Sequence, residues 1–186
     1  MLSDSQMSVF YCHTNQLTGN IPNLSANTVL TQFSCYSNQL TGSIPNLSAN
    51  TALTVFYCNS NQLTGSIPSL SANTVLTQFS CYSNQLTGSI PSLSANTALT
   101  VLYCNSNQLT GWSGGTVSAT LGDFQAQNNL LMQAAVDAIL AAFVAAGRTT
   151  GTRILNLGGT GNAAPSAAGL ADKATLQSRG WTVTTN

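Results

Sequence analysis

Residues 53–75 read LTVFYCNSNQLTGSIPSLSANTV, and nearly the same 23-residue pattern occurs five times in succession along the chain. The pentapeptide NQLTG marks each copy and recurs at a constant step of 23 residues. A constant period of this length is typical of a solenoid, in which each copy forms one coil and buries its apolar side chains against its neighbours. The pentapeptide begins at Asn15, Asn38, Asn61, Asn84 and Asn107.

The start of each copy has the alternation of a β-strand. In the third copy, Phe56 and Cys58 are two positions apart and therefore point to the same side. Tyr57 and Asn59 alternate with them and point to the other side. Because one copy cannot bury its apolar face alone, we expect the strands of successive copies to join into one parallel sheet over a continuous core. The segment S-A-N-T, which leads from one copy back to the strand of the next, is too short for a helix, so we predict turns there.

The unit L-x-x-F-x-C-x-x-N-Q-L-T-G-x-I-P-x-L-S-A-N-T-x resembles the leucine-rich repeat, in the plant-like and bacterial variety that carries L-T-G-x-I-P. The resemblance covers roughly residues 6–112. It implies an α/β protein built as a right-handed leucine-rich-repeat solenoid with a concave parallel β-sheet. It also implies that the NQLTG asparagines form an internal structural ladder, whose side-chain amides bond the backbone of neighbouring coils.

The cysteines occupy one equivalent inward position in the five copies. Neighbouring strands are about 4.8 Å apart, so a disulfide between cysteines of two adjacent copies would be geometrically possible. An odd number in a single column nevertheless argues against a complete disulfide framework, and we favour buried thiols that act as small apolar side chains. A linear column does not converge on a point, so we predict no metal site. The column consists of Cys12, Cys35, Cys58, Cys81 and Cys104.

Charge is scarce in this chain. Only 4% of the residues are Asp, Glu, Lys or Arg, the formal net charge is zero, and no such residue lies between Asp4 and Asp123. A neutral chain lacks the electrostatic attraction that nucleic acids and anionic lipids require, so neither is an expected partner. Acid–base catalysis needs titratable groups held close together. We therefore expect a protein that is not an enzyme and uses no cofactor.

Two segments bear on localisation. The opening residues, MLSDSQMSVF, have no basic region followed by an apolar one, so we expect no secretory signal. The most apolar run, residues 130–146, is too short and too polar to span a membrane.

Every tyrosine lies in a predicted strand, at one of two outward positions that alternate between odd and even copies. Tyrosine supplies rigid, amphipathic contact area at low entropic cost, so this face is our candidate for binding a glycan or an uncharged protein surface. The alternative is that tyrosine is merely a good strand former that tolerates water. The candidate contact residues are Tyr11, His13, Ser34, Tyr36, Tyr57, Asn59, Ser80, Tyr82, Tyr103 and Asn105.

The repeat departs from its pattern at Trp112, which divides the chain into a solenoid over 1–112 and a second region over 113–186. Strand, helix and strand in succession form a parallel crossover, so we expect this region to continue the solenoid as an α/β cap or assembly module. The predicted elements are a helix from about Phe124 to Ala146 capped by Asp123, a strand over 153–157, a helix over 166–179 and a strand over 181–185.

The final stretch, residues 155–186, is similar to C-terminal segments of bacteriophage tail-associated and other phage-encoded structural proteins. This resemblance implies an adhesion or recognition protein of a virion appendage or an extracellular structure. Neither end of the predicted solenoid carries an obvious polar cap, so a self-assembling filament or virion-lattice protein, homo-oligomeric through its ends, is the alternative. Ice binding is a third hypothesis, disfavoured because the outward columns mix Tyr with Ser and Asn instead of repeating Thr.

Overall fold

The computed structural model describes residues 5–186, and the first four residues, where the expectation about a secretory signal begins, lie outside that range. The described residues form twelve short strands and two helices. The strands are β1 (Val9–Tyr11), β2 (Thr18–Asn20), β3 (Gln32–Ser34), β4 (Gln39–Thr41), β5 (Val55–Tyr57), β6 (Gln78–Ser80), β7 (Thr87–Ile90), β8 (Val101–Tyr103), β9 (Gln108–Trp112), β10 (Asp123–Gln125), β11 (Ile154–Asn156) and β12 (Thr182–Thr184). The helices are α1 (Gln133–Ala146) and α2 (Ala167–Ser178).

One parallel sheet runs through the described chain. Its eight strands lie in the order β1-β3-β5-β6-β8-β10-β11-β12, and each pairs in parallel with the next. The predicted parallel solenoid is therefore confirmed. The sheet also continues past residue 112, because β10, β11 and β12 extend it without a break.

The core is a column of side chains from the middle of each strand. The ring centroids of Phe33 and Phe56 are 5.2 Å apart, and those of Phe56 and Phe79 are 5.5 Å apart. All three rings are fully buried, and each contributes on the order of 1.5–3 kcal/mol through removal of apolar surface from water. In the next strands Leu102 and Phe124 occupy the same register.

The NQLTG asparagines bond the coils to one another. The Nδ2 group of Asn61 donates to Cys58 O in its own coil at 3.1 Å and to Cys35 O in the preceding coil at 3.1 Å. Its Oδ1 accepts from Leu40 N at 3.0 Å. The Nδ2 group of Asn15 donates to Cys12 O at 3.2 Å and to His13 O at 2.9 Å, both in its own coil. The full set of bonds to the preceding coil is repeated at Asn38, Asn84 and Asn107.

A second ladder, which sequence reasoning did not identify, lies in the S-A-N-T returns. These returns are turns, as predicted. Asn73 is fully buried, and its Nδ2 group donates to Leu47 O at 3.1 Å and to Asn50 O at 2.9 Å in the preceding coil. Asn50 and Asn96 make the equivalent bonds. The central coils are therefore tied to their neighbours on both sides, by a partly buried amide next to the strand and a buried amide in the return.

A second line of parallel pairing, also not predicted, follows the T-G-x segment of the five repeats. It comprises the β2–β4 and β7–β9 pairs and the bridges Ser43↔Thr64 and Ser66↔Thr87. Gly65 adopts φ +75°, a region that non-glycine residues rarely adopt. The residue after this turn, Ser66, pairs with Thr87 of the next coil. We call this surface the threonine flank. It is defined by Thr18, Thr41, Thr64, Thr87 and Thr110, with Ser43, Ser66 and Ser89.

The predicted helix over residues 124–146 is wrong in its first part. Phe124 lies in β10, and α1 begins only at Gln133. Asp123 is therefore not a helix cap, and the N-cap position belongs to Met132, which makes no side-chain cap bond. Pairing of β10 with β8 and full burial of Phe124 outweigh the local helix propensity.

The reason is a sixth coil within residues 121–131. They read LGDFQAQNNLL, which keeps the spacing L-x-x-F-x-x-x-x-N-x-L of the repeat and replaces the inward cysteine by Ala126. Asn129 stands at the ladder position, and its Nδ2 donates to Cys104 O at 3.1 Å and to Ala126 O at 3.0 Å.

The later elements agree with the prediction. The strand expected over 153–157 is β11, the helix expected over 166–179 is α2, and the final strand is β12. The side chain of Ser166 caps α2 by accepting from Gly169 N. Helix α1 packs on the sheet through Phe143, whose ring lies 5.4 Å from that of Phe124 and 5.2 Å from that of Trp181.

Candidate binding face

The outward side chains of the main sheet form rows that cross the strands. In the middle row, Tyr11, Ser34 and Tyr57 are register partners on β1, β3 and β5, and Ser80 and Tyr103 continue the row on β6 and β8. Large and small side chains therefore alternate from strand to strand. We call these residues, with the outward residues two positions before and after each of them, the tyrosine face.

Each serine of the middle row lies between two tyrosines of the adjacent strands. Ser34 is 3% exposed and Ser80 is 4% exposed, so the serines form the floor between the rings. Two depressions result: the first, at Ser34, has a volume of about 320 Å³, and the second, at Ser80, has a volume of about 290 Å³. Tyr36, Tyr57 and Gln78 line both depressions.

The two depressions are copies displaced by 46 residues, the length of two coils. Tyr11, Gln32 and Ser34 in the first correspond to Tyr57, Gln78 and Ser80 in the second. Further along the chain, Tyr36, Val55 and Tyr57 correspond to Tyr82, Val101 and Tyr103. His13 is replaced by Asn59.

Hydrogen bonds between strands orient the tyrosine rings. The Tyr57 hydroxyl donates to Gln78 Oε1, and the Tyr11 hydroxyl donates to the equivalent atom of Gln32. The Tyr103 hydroxyl donates instead to Asp123 Oδ2 at 2.6 Å. Because each glutamine accepts through its oxygen, its Nε2 group remains as a donor on the face, with no acceptor among residues 5–186.

The face is neutral except at one end. Burial raises the pKa of Tyr57, and the neighbouring Tyr11 raises it further. Burial, the hydrogen bond to Asp123 and the charge of that carboxylate raise the pKa of Tyr103 to about 12. The hydroxyl groups of Tyr57 and Tyr103 therefore stay protonated at physiological pH, and Asp123 places a carboxylate beside the last tyrosine.

Nine of the ten predicted contact residues line a depression. Asn105 lines neither and points its Nδ2 group at Ser106 Oγ, 3.4 Å away. The ring of His13 stacks on that of Tyr36, with centroids 4.4 Å apart and planes within 6°. Sequence reasoning missed Gln32 and Gln78, although both occupy outward positions two residues before the serines.

The cysteine column lies on the opposite, inner side of the strands. All five thiols are free, four of them are buried, and Cys12 is partly buried. Burial raises the pKa of Cys104 to about 12 and that of Cys58 well above its ordinary value. Within residues 5–186, no three His, Cys, Asp or Glu side chains lie close enough together to hold a metal ion. Neither of the helices in that range is long and apolar enough to cross a membrane.

Comparison with known proteins gives structural matches alone. No model of a protein family matches the chain, and no curated protein matches it. The solved structure of PEPR1–AtPEP1 superposes with a TM-score of 0.67 at 26% identity over 86% of this chain and 22% of that one. The Arabidopsis receptor kinase HAESA, in complex with the peptide hormone IDA and the co-receptor SERK1, gives 0.56 at 30% identity over 69% of this chain and 22% of that one.

A plant ice-binding protein gives a TM-score of 0.56 at 26% identity over 68% of this chain and 50% of that one. The Arabidopsis receptor kinase GASSHO1/SCHENGEN3, whose structure is named as a leucine-rich-repeat ectodomain, gives 0.61 at 24% identity. The fold is a leucine-rich-repeat solenoid. The chain spans about a fifth of the length of PEPR1 and HAESA in those structures and half that of the ice-binding protein.

Proposed function

We propose that this leucine-rich-repeat protein is a non-enzymatic recognition module that binds an extracellular partner through the tyrosine face. The observation that carries the proposal is the pair of equivalent depressions, each built from tyrosine walls and a serine floor on a neutral surface. Tyrosine, serine and asparagine are the residues that adaptable binding surfaces favour. HAESA, which shares the fold, is crystallised with a peptide hormone and a co-receptor.

We place this module on a phage virion appendage or another extracellular structure, as an adhesion protein. The support is the resemblance of residues 155–186 to phage tail-associated proteins. Self-association, as a homo-oligomer or filament, fits the same setting. In the described residues β1 pairs only with β3, and its Val9 and Tyr11 are 43% and 56% exposed. Rods in negative-stain micrographs that disappear in Val9→Lys would support stacking through this edge.

The binding test compares two surfaces of one molecule. Labelled protein is applied to a glycan array and to intact bacterial cells, as wild type and as the triple variant Tyr36→Ser, Tyr57→Ser and Tyr82→Ser. We expect the triple variant to lose at least about tenfold in affinity, since aromatic anchors dominate binding at such surfaces. The matched control is Thr64→Ala with Thr87→Ala on the threonine flank, which keeps full binding. Unchanged binding by a folded triple variant would reject the tyrosine face.

Ice binding is a second candidate, and the threonine flank is the observation that favours it. The flank repeats one hydroxyl column at the spacing of parallel strands. From Thr41 onward, each Thr Oγ1 donates to a glycine carbonyl of the preceding coil, as Thr64 does to Gly42 O at 3.4 Å. A plant ice-binding protein has the same fold. A thermal-hysteresis measurement tests this candidate. Hysteresis of the wild type that Thr64→Tyr abolishes would assign ice binding to the threonine flank, and the lack of hysteresis in the wild type would reject ice binding.

A further inference from the structure

We propose that the tyrosine face binds a linear, uncharged β-1,4-linked polysaccharide that runs across the strands, one disaccharide to each depression. This inference rests on the proposed function of the face as a binding surface and adds the class of ligand. Neighbouring strands are 4.7–4.9 Å apart, so depressions that recur every second strand recur at about 10 Å.

The alternation of the face matches that of such a polymer. In an extended β-1,4-linked chain of hexoses each ring is flipped relative to the last, so the chemical repeat is a disaccharide of close to that length. The middle row alternates in the same way, since a strand that carries Tyr is followed by a strand that carries Ser. Every second sugar would thus meet the same protein groups.

Unpartnered polar groups in the depressions suit a ligand rich in hydroxyl groups. The Oγ atom of Ser34, buried at the floor of the first depression, has no hydrogen-bond partner within residues 5–186. The Nε2 group of Gln32 adds a free donor to the first depression, and that of Gln78 adds one at the boundary that the two depressions share. A sugar hydroxyl both donates and accepts, so it can satisfy either kind of group.

The tyrosine walls suit the apolar face of a sugar ring. The axial C–H groups of a hexose form an apolar patch, which packs on an aromatic ring while the ring hydroxyls remain free to bond the floor. The hydroxyl of Tyr57 is already held by Gln78, so the ring is oriented before any ligand arrives, and little conformational entropy is lost on binding.

Charge and period argue against other polymers. An anionic polysaccharide would meet the carboxylate of Asp123 beside Tyr103 and no Lys or Arg in either depression. An extended peptide repeats its side-chain direction every two residues, about 7 Å, which does not match the face. A polyproline II peptide repeats every three residues, about 9 Å, and is the competing ligand that the experiment must separate.

The length of the face predicts how many sugars it holds. After Tyr103 the middle row continues with Gln125 and Asn156, so the Tyr–Ser–Tyr pattern forms two depressions within residues 5–186. Two depressions at one disaccharide each accommodate a tetrasaccharide.

The experiment is calorimetric titration of the full chain with β-1,4-linked glucose and N-acetylglucosamine oligomers from dimer to hexamer. We expect the affinity to rise by about tenfold or more from dimer to tetramer, since the second disaccharide binds at high effective concentration, and then to level off. An α-1,4-linked tetramer of glucose controls for linkage, and an oligoproline peptide represents the competing class.

Two variants distinguish a contact role from a structural one. Tyr103→Ser removes one wall of the second depression only, so dimer affinity should persist while the gain from dimer to tetramer disappears. Tyr57→Ser removes a wall that lines both depressions and should weaken dimer and tetramer alike. Thr64→Ala on the threonine flank should change neither.

Three results would overturn the inference: no binding of either oligomer series, affinity that rises steadily through the hexamer, or oligoproline binding that Tyr57→Ser abolishes. If the saccharides fail to bind while the Tyr36, Tyr57 and Tyr82 triple variant still loses its attachment to cells, the proposed recognition function survives and the polysaccharide assignment falls. If the triple variant also binds normally, both fall.

Discussion

The five repeats and the C-terminal third build one sheet with different returns between the strands. Ladder asparagines are 23 residues apart in the repeats, whereas the steps from Asn107 to Asn129 and from Asn129 to Asn162 are 22 and 33 residues. The bonds are the same in both regions, since Asn162 Nδ2 donates to Ala126 O at 2.9 Å and to Leu157 O at 2.8 Å. The strand and its asparagine thus define a coil, and the return can vary in length and structure.

The contrast also explains where charge reappears. In the repeats, backbone carbonyls accept from backbone N–H groups of the neighbouring copies, so the coils need no ionic groups. The returns of the C-terminal third leave carbonyls that arginines satisfy: Arg148 donates to Thr120 O at 2.9 Å, and Arg179 donates to Val144 O at 2.6 Å. Buried or half-buried carbonyls must find donors, and an irregular loop finds them in side chains.

The largest effect is expected from the aromatic contact that joins α1 to the sheet. Phe143→Ala should lower the free energy of unfolding by about 3–5 kcal/mol, because it removes a buried ring between Phe124 and Trp181. Phe56→Ala, in the middle of the repeat stack, should cost a similar amount. Urea denaturation followed by circular dichroism measures both.

Phe143→Leu serves as the control, since it keeps most of the apolar volume and should cost less than the alanine variant. A loss below about 1 kcal/mol in Phe143→Ala would show that α1 is not part of the core shared with the repeats.

The ladder variants should have an intermediate effect. Asn61→Ala and Asn162→Ala should each cost on the order of 1–3 kcal/mol, because each leaves backbone carbonyls and an N–H group unpaired. Asn73→Ala tests the second ladder and should fall in the same range. Unfolding midpoints in urea provide the comparison, with Thr64→Ala as the exposed control. If only Asn162→Ala proved neutral, the ladder would not operate beyond the repeats.

The sequence predicted those parts of the fold that repeat. Alternation of Phe56 and Cys58 with Tyr57 and Asn59 was enough to assign the strand and the outward face. The sixth coil was missed because Ala126 stands in place of the cysteine and an alanine-rich helix follows, so local composition favoured helix over a pairing that involves residues 22 positions away. The role of Gln78 as a lining residue was also missed, because its hydrogen bond to Tyr57 joins residues of different coils and cannot be seen in the local pattern.

The smallest effect concerns the tyrosine nearest the C-terminal third. The pKa of Tyr103 is raised from 10.0 to about 12, so its neutral form stabilises the fold in full below pH 10, and this contribution is lost as the pH rises towards 12. Asp123→Asn should lower that pKa, as followed by phenolate absorbance during alkaline titration. Gln78→Asp would copy the arrangement into the repeats and should raise the pKa of Tyr57. Unaltered titration in Asp123→Asn would contradict the role of the carboxylate.

The 46-residue relation between the two depressions also bears on how such a gene can change. An in-frame duplication of two coils adds two strands, two rungs to each ladder and one complete Tyr–Ser–Tyr site, with every new interface identical to one already present. Unequal recombination between the near-identical segments could therefore lengthen or shorten the molecule in whole sites. The number of binding sites would then change with the number of coils, and no new side chain would have to be accommodated in the core.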